Sequence, residues 1–523
     1  MPGRVIGIDF GTSNTIVACI NPQGRADALM LGQHYLVPTV LYFETEKKWY
    51  FGKQAADRGL QNPEACIRNF KTDFPENEKV YIITAENGRK LRMTPLKVAC
   101  LFLNSVLTEA QNALTSYPGC ENDYIEYAIV TVPAKFPLKA KQLIKDAISN
   151  ALPQLNARNT NRIMAEPTAA AVAHITRYTD MINKTVMVYD FGGGTFDISV
   201  LSNRNGVFDV RRNETIILGG NDLTRCIIKD LIERINSDYR QDFPASPEEY
   251  NPETCSIPKE KYLKTYALLW ETAERIKTRL SDGEEIIGDM IAPVTISIDG
   301  QLKDIPYTYS YPKDFLEHLL EPEISRTTEL VAKVLKEEED KGNKIDYLVL
   351  AGGSSQLPMV KQKLEEIKNC PVIHPDSEIS TLIARGAIYS APDSAQEYTV
   401  REIGIPVSSG AVRNRFQTII QAGQSLPCSG EVVNTIIDGR KELIIKLYER
   451  EPRETYEDDS VSGADYIAEW SIPDLPDSPG RTARIMMTAN SEGTVDISVD
   501  IEVNGKVISK NHTCRRESNL LDV

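Results

Sequence analysis

The chain has 523 residues, 41% of them hydrophobic and 25% charged, with a formal net charge of −15. That length exceeds what one hydrophobic core organises and predicts about three or four units, while the balance of apolar and charged residues excludes a wholly disordered or fibrous chain. The net acidity argues against a general binder of phosphate backbones, which needs basic patches to displace counterions, so no nucleic-acid partner is expected.

The N-terminus runs almost directly into an apolar segment at residues 5–8, without the charged and apolar regions of a leader. No stretch reaches the roughly 18 uncharged apolar residues of a membrane span. Nine cysteines, at Cys19, Cys66, Cys100, Cys120, Cys226, Cys255, Cys370, Cys428 and Cys514, are scattered without a CxxC pair. This predicts reduced thiols rather than a disulfide framework or a zinc site. A cytoplasmic protein with no membrane partner is the expectation.

Through the first three-quarters of the chain, apolar strand-like runs (VIGIDF, YAIVTVPAKF, VMVYDFGGGTFDISVL, YLVLAGG) alternate with helical patterns (PLKVACLFLNSVLTEAQNAL, LIKDAISNALPQL). Such alternation predicts α/β architecture. After about residue 392 the helical period gives way to β-rich runs, ELIIKLYERE, ARIMMTAN and TVDISVDIEV, separated by Gly, Pro, Asn and Asp. Pro392, Asp393 and Ser394 mark the predicted seam, residues 393–402 a linker and 403–523 a separate β domain. Within it, the acidic, pattern-free residues 453–465 predict a mobile loop, and Pro473, Pro476 and Pro479 a turn region.

One long-range echo carries the chemistry. IGIDFGTSNTIVACI near the start and VYDFGGGTFDISVL near Asp190 share the order strand, Asp, apolar residue, Gly-rich turn with Thr, strand. Glycines permit a turn whose backbone N–H groups converge on phosphate oxygens with no Cβ in the way. Asp9 and Asp190 at the strand ends are placed to hold a hydrated Mg2+ between the loops, since that ion keeps its waters and uses few carboxylates. Either turn alone is as consistent with an ordinary hairpin. A third element, LVLAGGSSQLPMV, ends a strand at Gly352 and Gly353 just before a helix, where backbone can approach a nucleotide's sugar and phosphate. Walker A and a Rossmann GxGxxG in its proper context are absent.

Three glycine turns in this order match the actin, sugar-kinase and heat-shock ATPase superfamily. The wording IGIDFGTSNT, AIVTVPAKF, AEPTAAAVAH, YDFGGGTFDISVL, LGGNDL, ETAERIKTRLS and LAGGSSQLP resembles the heat shock protein 70 family, the DnaK-type chaperones. The resemblance implies an α/β actin-like ATPase of duplicated ribonuclease-H-like lobes over residues 1–392, followed by an all-β sandwich. It places Asp9, Gly11, Thr12, Ser13 and Asn14 on the first phosphate loop and Gly192, Gly193, Gly194 and Thr195 on the second. It further implies that Lys71 orients the γ-phosphate and attacking water, within a carboxylate set of Glu166, Asp190, Asp197 and Asp9. Glu274, Lys277 and Ser281 align with adenosine contacts, as do Gly352, Gly353 and Ser354 with the third turn. Taken alone, Lys71 reads as a solvated lysine, Glu166 as a cap residue, and Glu274 with Lys277 as an exposed i, i+3 pair.

The sequence departs from the family at four places. Thr278 stands where an arginine usually packs on adenine, and Arg279 lies about 100° further round the helix. Pro133 matches an interdomain switch proline, but Lys141 replaces its arginine partner, and a lysine lacks the planar bidentate fork. The β domain is expected to be without the family's helical lid, and the linker SAQEYTVREI is more polar than usual.

EIGIPVSSG, QSLPCSGEV, LIIKLYERE, IAEWSIPDLP and ARIMMTANSEGTVDISV resemble the family's peptide-holding sandwich. Its implied pocket residues are Ile405, Val433, Leu443 and Ile445, with Ser408 and Ile436 as arch residues; each is equally consistent with plain sandwich core. The expected activity is slow ATP hydrolysis coupled to binding of extended, unfolded peptides. ATP or ADP, Mg2+ and K+ are the implied cofactors, and a J-domain co-chaperone and a nucleotide-exchange factor the implied partners in a stress response. The alternatives are an actin-like scaffold or co-chaperone whose β domain recruits one partner, and a small-molecule kinase of the same superfamily, for which no substrate motif is evident.

Overall fold

The computed structural model describes residues 3–514 except 22–23, 74–78, 118–119, 135, 137, 150, 152–161, 179–180, 182, 205–206, 375–377, 390–394, 397–400, 410–411, 422–423, 425–426, 451–460, 462–463 and 491–493. The expected seam at Pro392–Ser394, most of the linker and most of the acidic stretch at 453–465 lie outside the described residues.

The first part of the chain runs β1 (Gly3–Phe10), β2 (Asn14–Ile20), β3 (Ala26–Ala28), β4 (Val37–Pro38), β5 (Val40–Thr45), β6 (Lys48–Phe51), α1 (Gly52–Gln61), β7 (Cys66–Arg68), β8 (Tyr81–Thr84), β9 (Lys90–Met93), α2 (Pro95–Thr115), β10 (Tyr124–Val132), α3 (Leu138–Ser149), β11 (Arg162–Ala165) and α4 (Glu166–Arg177). Helix α2 starts where Thr94 accepts the Lys97 N–H at 3.3 Å and Pro95 fills the first turn, as capping chemistry requires. Its buried face, Val98, Phe102, Val106 and Ala110, recurs at the helical period and packs on the sheet.

The second part runs β12 (Thr185–Phe191), β13 (Phe196–Arg204), β14 (Val207–Ile216), α5 (Gly220–Tyr239), α6 (Lys259–Ser281), β15 (Ile286–Ile298), β16 (Gln301–Tyr311), α7 (Lys313–Asp340), β17 (Tyr347–Ala351), α8 (Pro358–Glu365), β18 (Val372–His374), α9 (Leu382–Tyr389) and β19 (Ala395–Gln396). The two large sheets repeat one plan. In the first, the order is β11-β10-β1-β2-β3, with β1, β10 and β11 parallel and β1, β2 and β3 an antiparallel meander. In the second, β18-β17-β12-β13-β14 follows the same parallel and antiparallel pattern, and β19 adds in parallel to β14. Each sheet thus has a central strand, β1 or β12, whose C-terminal end opens into a Gly-rich hairpin. That is why Asp9 and Asp190 occupy equivalent places.

Between the sheets, α4 and α9 cross closely. A Cβ at Gly386 would collide with the Ala169 carbonyl, and alanines 169, 170, 171 and 173 line a shared core with Val188, Val349 and Leu382. Small residues there let the two helices approach.

Among the described residues, the elements of the last part are all strands: β20 (Glu402–Ser409), β21 (Val412–Ile420), β22 (Cys428–Thr435), β23 (Leu443–Arg450), β24 (Asp465–Ile472), β25 (Thr482–Ala489), β26 (Val495–Val503) and β27 (Lys506–Cys514). They form two four-stranded sheets, ordered β21-β20-β23-β24 and β22-β25-β26-β27. Alternating residues, such as Ile485, Met487, Ile497 and Val499, are buried and share one core with Ile403, Ile420 and Leu447 of the other sheet, the period-2 signature of strands with one wet face. Trp470 on β24 stacks on His512 of β27, ring centroids 5.1 Å apart.

Among the described residues, no helix is long and apolar enough to cross a membrane.

Candidate functional site

The two Gly hairpins meet face to face. Gly192 N–H donates to the Thr195 carbonyl at 3.1 Å, closing the second turn, and Ser13 Oγ of the first turn reaches Asn221 Oδ1 at 3.1 Å. Asn221 N–H in turn donates to the Gly193 carbonyl at 2.8 Å, and its side-chain amide reaches Asn69 Oδ1 at 3.1 Å. A Cβ on Gly193 would collide with Ser13 Oγ, and one on Gly219 with the Gly193 backbone. These glycines are demanded by close approach, not by turn shape alone. Thr39 braces the first hairpin, its hydroxyl donating to the Gly11 carbonyl at 2.9 Å and its N–H to the Ser13 carbonyl at 2.8 Å.

Behind the hairpins lies a buried charged cluster. Lys71, on a short 3-10 turn at Phe70–Asp73, donates to Glu166 Oε1 at 2.7 Å. Lys71 is 4% and Glu166 7% exposed, so this pair is desolvated. Asp9, Asp190 and Asp197 surround it. Burial, and then the neighbouring Glu166 charge, push the Asp9 carboxyl up to about 7, against the pull of Lys71. Burial pushes Asp197 up to about 6, although hydroxyls of Thr215, at 2.5 Å, and Thr195, at 2.9 Å, donate to its oxygens. Asp190 is held well above the carboxylate range by burial and by Glu166, Asp197 and Asp9. Several carboxylates facing one ammonium in a dry site want more positive charge. No three His, Cys, Asp or Glu side chains among the described residues are arranged to hold a metal ion directly. This donor set suits a cation that keeps its own waters.

The third glycine turn closes the floor. Gly352 has φ +78°, and a Cβ there would lie 2.5 Å from the Phe191 backbone and 2.6 Å from Asp190 Oδ1. Ser354 Oγ donates to the Gly192 carbonyl at 3.4 Å, whereas Gly353 is open on the side where a Cβ would stand. On α6, Lys277 Nζ donates to the Gly220 carbonyl at 2.9 Å, Thr224 Oγ1 at 2.8 Å and Glu274 Oε1 at 2.7 Å. Glu274 also accepts from the Thr224 hydroxyl. Ser281, at the end of α6, donates to its own helix at the Lys277 carbonyl. Thr278 is exposed and bonds the Glu274 carbonyl, while Arg279 is engaged by Glu284 and Asp289. Lys53 on α1 meets Glu271 on α6 at 3.1 Å, an ion pair between the two parts.

A second candidate site lies in the β region. Strand β20 pairs with β23 only at Glu402, Ile403 and Gly404; beyond that, β20 keeps β21 and β23 keeps β24. The sheet therefore splits, and a groove of about 880 Å³ opens between Ile405–Ser408 and Leu443–Lys446. Ile405, Ser408, Ile436, Leu443 and Ile445 all line it. Val433 does not: it sits on the outer face of β22, 53% exposed. Pro133 directly follows β10, and Lys141 lies on α3.

Residues that sequence reasoning did not single out include Asn69, Asn221, Thr39 and Thr215. The quoted LGGNDL contained Asn221, but nothing in its spacing says that it joins both hairpins.

The family model described as "Hsp70 protein" matches residues 5–520. Curated relatives named "Chaperone protein DnaK", from Thermotoga neapolitana, Thermotoga petrophila and Thermotoga maritima, are each 26% identical over 520 residues, covering 96% of this chain and 79% of the relative. With a family match across almost its whole length, this chain belongs to the Hsp70 family.

Proposed function

We propose that this protein is an ATP-dependent chaperone that hydrolyses ATP slowly and couples the nucleotide to binding of extended peptide segments. The repeated sheet plan supports reading the first two parts as actin-like lobes with the nucleotide between them, and the two β sheets as a peptide-holding sandwich. The observation that carries the reading is the buried Lys71–Glu166 pair set among Asp9, Asp190 and Asp197 behind two converging Gly hairpins.

In this reading the hairpin N–H groups of Gly11–Asn14 and Gly192–Thr195 receive the phosphates. Lys71 sets positive charge beside the γ-phosphate, where negative charge spreads in the transition state. Glu166, Asp197 and Thr195 orient the attacking water. Asp9 and Asp190 would hold a hydrated Mg2+, which would supply charge neutralisation for the phosphates; K+ is a further ion of the reading. Glu274 and Lys277 face the ribose, with Gly352, Gly353 and Ser354 beside the sugar and α-phosphate.

The split between β20 and β23 offers two strand edges to an extended backbone, with Ile405, Ile436, Leu443 and Ile445 for one apolar side chain and Ser408 at the rim. A J-domain co-chaperone and a nucleotide-exchange factor are the partners this reading implies, in the cytoplasm.

The test is ATP turnover measured with and without an unfolded peptide, together with binding of that peptide in ATP and ADP. Saturable peptide binding that ATP accelerates in release supports the chaperone. ATP turnover with no saturable peptide binding in either nucleotide leaves a scaffold that recruits one specific partner.

A further inference from the structure

The groove between β20 and β23 carries a charge pattern at odds with the rest of the chain. Among the described residues, three cationic residues, Arg415, Lys446 and Arg450, line it and no acidic one does, in a protein whose formal net charge is −15. Arg450 is buried and committed: it donates to Glu402 at 2.9 Å, and its guanidinium lies 4.2 Å from the centre of the Phe416 ring. The other two reach water. Arg415 is exposed, and Lys446, with 47% of its side chain exposed, meets Glu469 of the neighbouring strand at 3.2 Å. Pairs so open to solvent are weak and screened by salt, so Lys446, and Arg415 at its likewise exposed position, can exchange the partners they have for an incoming carboxylate.

The groove wall also carries an acceptor. Gln417 Oε1 is buried and has no hydrogen-bond partner among the described residues. Gln417 lies opposite Ile405 in the β20–β21 pairing, on the wall that an extended chain would follow. A main-chain N–H entering the groove would satisfy it.

We propose that the groove selects extended segments in which an apolar residue is flanked by aspartate or glutamate, an inference that rests on the peptide-binding reading above. The apolar side chain packs on Ile405, Ile436 and Ile445, each 5% exposed or less. A backbone N–H reaches Gln417, and the flanking carboxylates meet Arg415 and Lys446.

The experiment uses the full chain with ADP and fluorescence anisotropy of labelled peptides, each with a leucine core flanked by aspartates, by serines or by lysines. The acid-flanked peptide binds about tenfold more tightly than the lysine-flanked one at low salt, as two exposed ion pairs allow. The difference shrinks near about 0.5 M NaCl as the charges are screened. The double variant Arg415→Gln with Lys446→Gln erases the difference while the serine-flanked peptide still binds, which shows that the groove is intact. Equal affinities in the unmodified protein, or a preference for lysine flanks, overturn the charge selection and leave peptide binding standing. If none of the peptides binds with saturation, the peptide-binding reading falls, and this inference with it.

Discussion

Lys71 Nζ donates to Glu166 Oε1 over 2.7 Å, joining residues 95 positions apart in a buried pair. Glu166 is the first residue of α4 and Lys71 sits on a separate 3-10 turn, so the pair fixes the ammonium from a helix end. Replacing Lys71 by Ala removes the cation beside Asp9, Asp190 and Asp197. ATP turnover is expected to fall by at least about 10²-fold, in the range for loss of one charge-stabilising group, while nucleotide stays bound. Single-turnover phosphate release and a nucleotide-binding titration check this; an unchanged turnover rate removes Lys71 from the chemistry.

The same cluster predicts how pH acts on the metal-free protein. Asp9 and Asp197 titrate near 7 and 6 when folded, against about 4 when unfolded. Between those values the folded chain binds more protons, so stability falls as pH rises from about 4 to about 7. Burial sets the direction, as it also does for Asp190. Thermal melting without divalent cation should therefore drop across this window, and adding MgADP at pH 7.5 should restore more than it does at pH 5. Asp9→Asn should flatten the slope; a slope of the opposite sign would falsify the assignment of raised values.

Adjacent glycines separate two physical causes. Gly352 needs its positive φ and abuts the Phe191 backbone, whereas a Cβ on Gly353 meets nothing within 4 Å. Gly352→Ala should cost about 1–3 kcal/mol of stability through strain and loosen the strand end that carries Asp190. Gly353→Ala should stay within about 0.5 kcal/mol. Urea unfolding of the two variants decides, and equal losses would mean that the turn is shaped by something other than this contact.

On α6 the exposed Thr278 leaves a place that Arg279 does not fill, because its guanidinium is held by Glu284 and Asp289. Thr278→Arg is expected to tighten ATP binding several-fold, since a guanidinium over a base contributes about 0.5–2 kcal/mol. Calorimetric titration with ATP and with ribose triphosphate lacking a base gives the readout. Tightening of both ligands alike would assign the gain to phosphate charge instead.

The hairpins at Asp9 and Asp190 were legible as a pair, because the order strand, Asp, apolar residue, glycine turn with Thr, strand occurs twice, whereas either turn alone reads as an ordinary hairpin. Their meeting was not. Ser13, Asn69 and Asn221 are far apart in sequence and join only when the two sheets come together. Lys71 and Glu166 were legible only through resemblance, since a lysine and a helix-starting glutamate carry no pattern of their own. On β22, the consecutive valines 432 and 433 gave no phase from which to tell the core face from the wet one; pairing with β25 puts Val432 inward and Val433 out. The parting of β20 from β23 was equally hidden, because a strand alternates apolar and polar residues whether or not its neighbour stays bonded.

That parting has a consequence for the protein as a solute. Open strand edges accept any extended backbone, including the same segment of a second copy at high concentration. The cations at the groove, Arg415 and Lys446, then act as sentries: two copies approaching edge to edge bring like charges together, while their apolar floors stay apart. Neutralising them would relax selection among partners and also raise the tendency of the chains to stick to one another, so solubility and selectivity are held by the same two side chains.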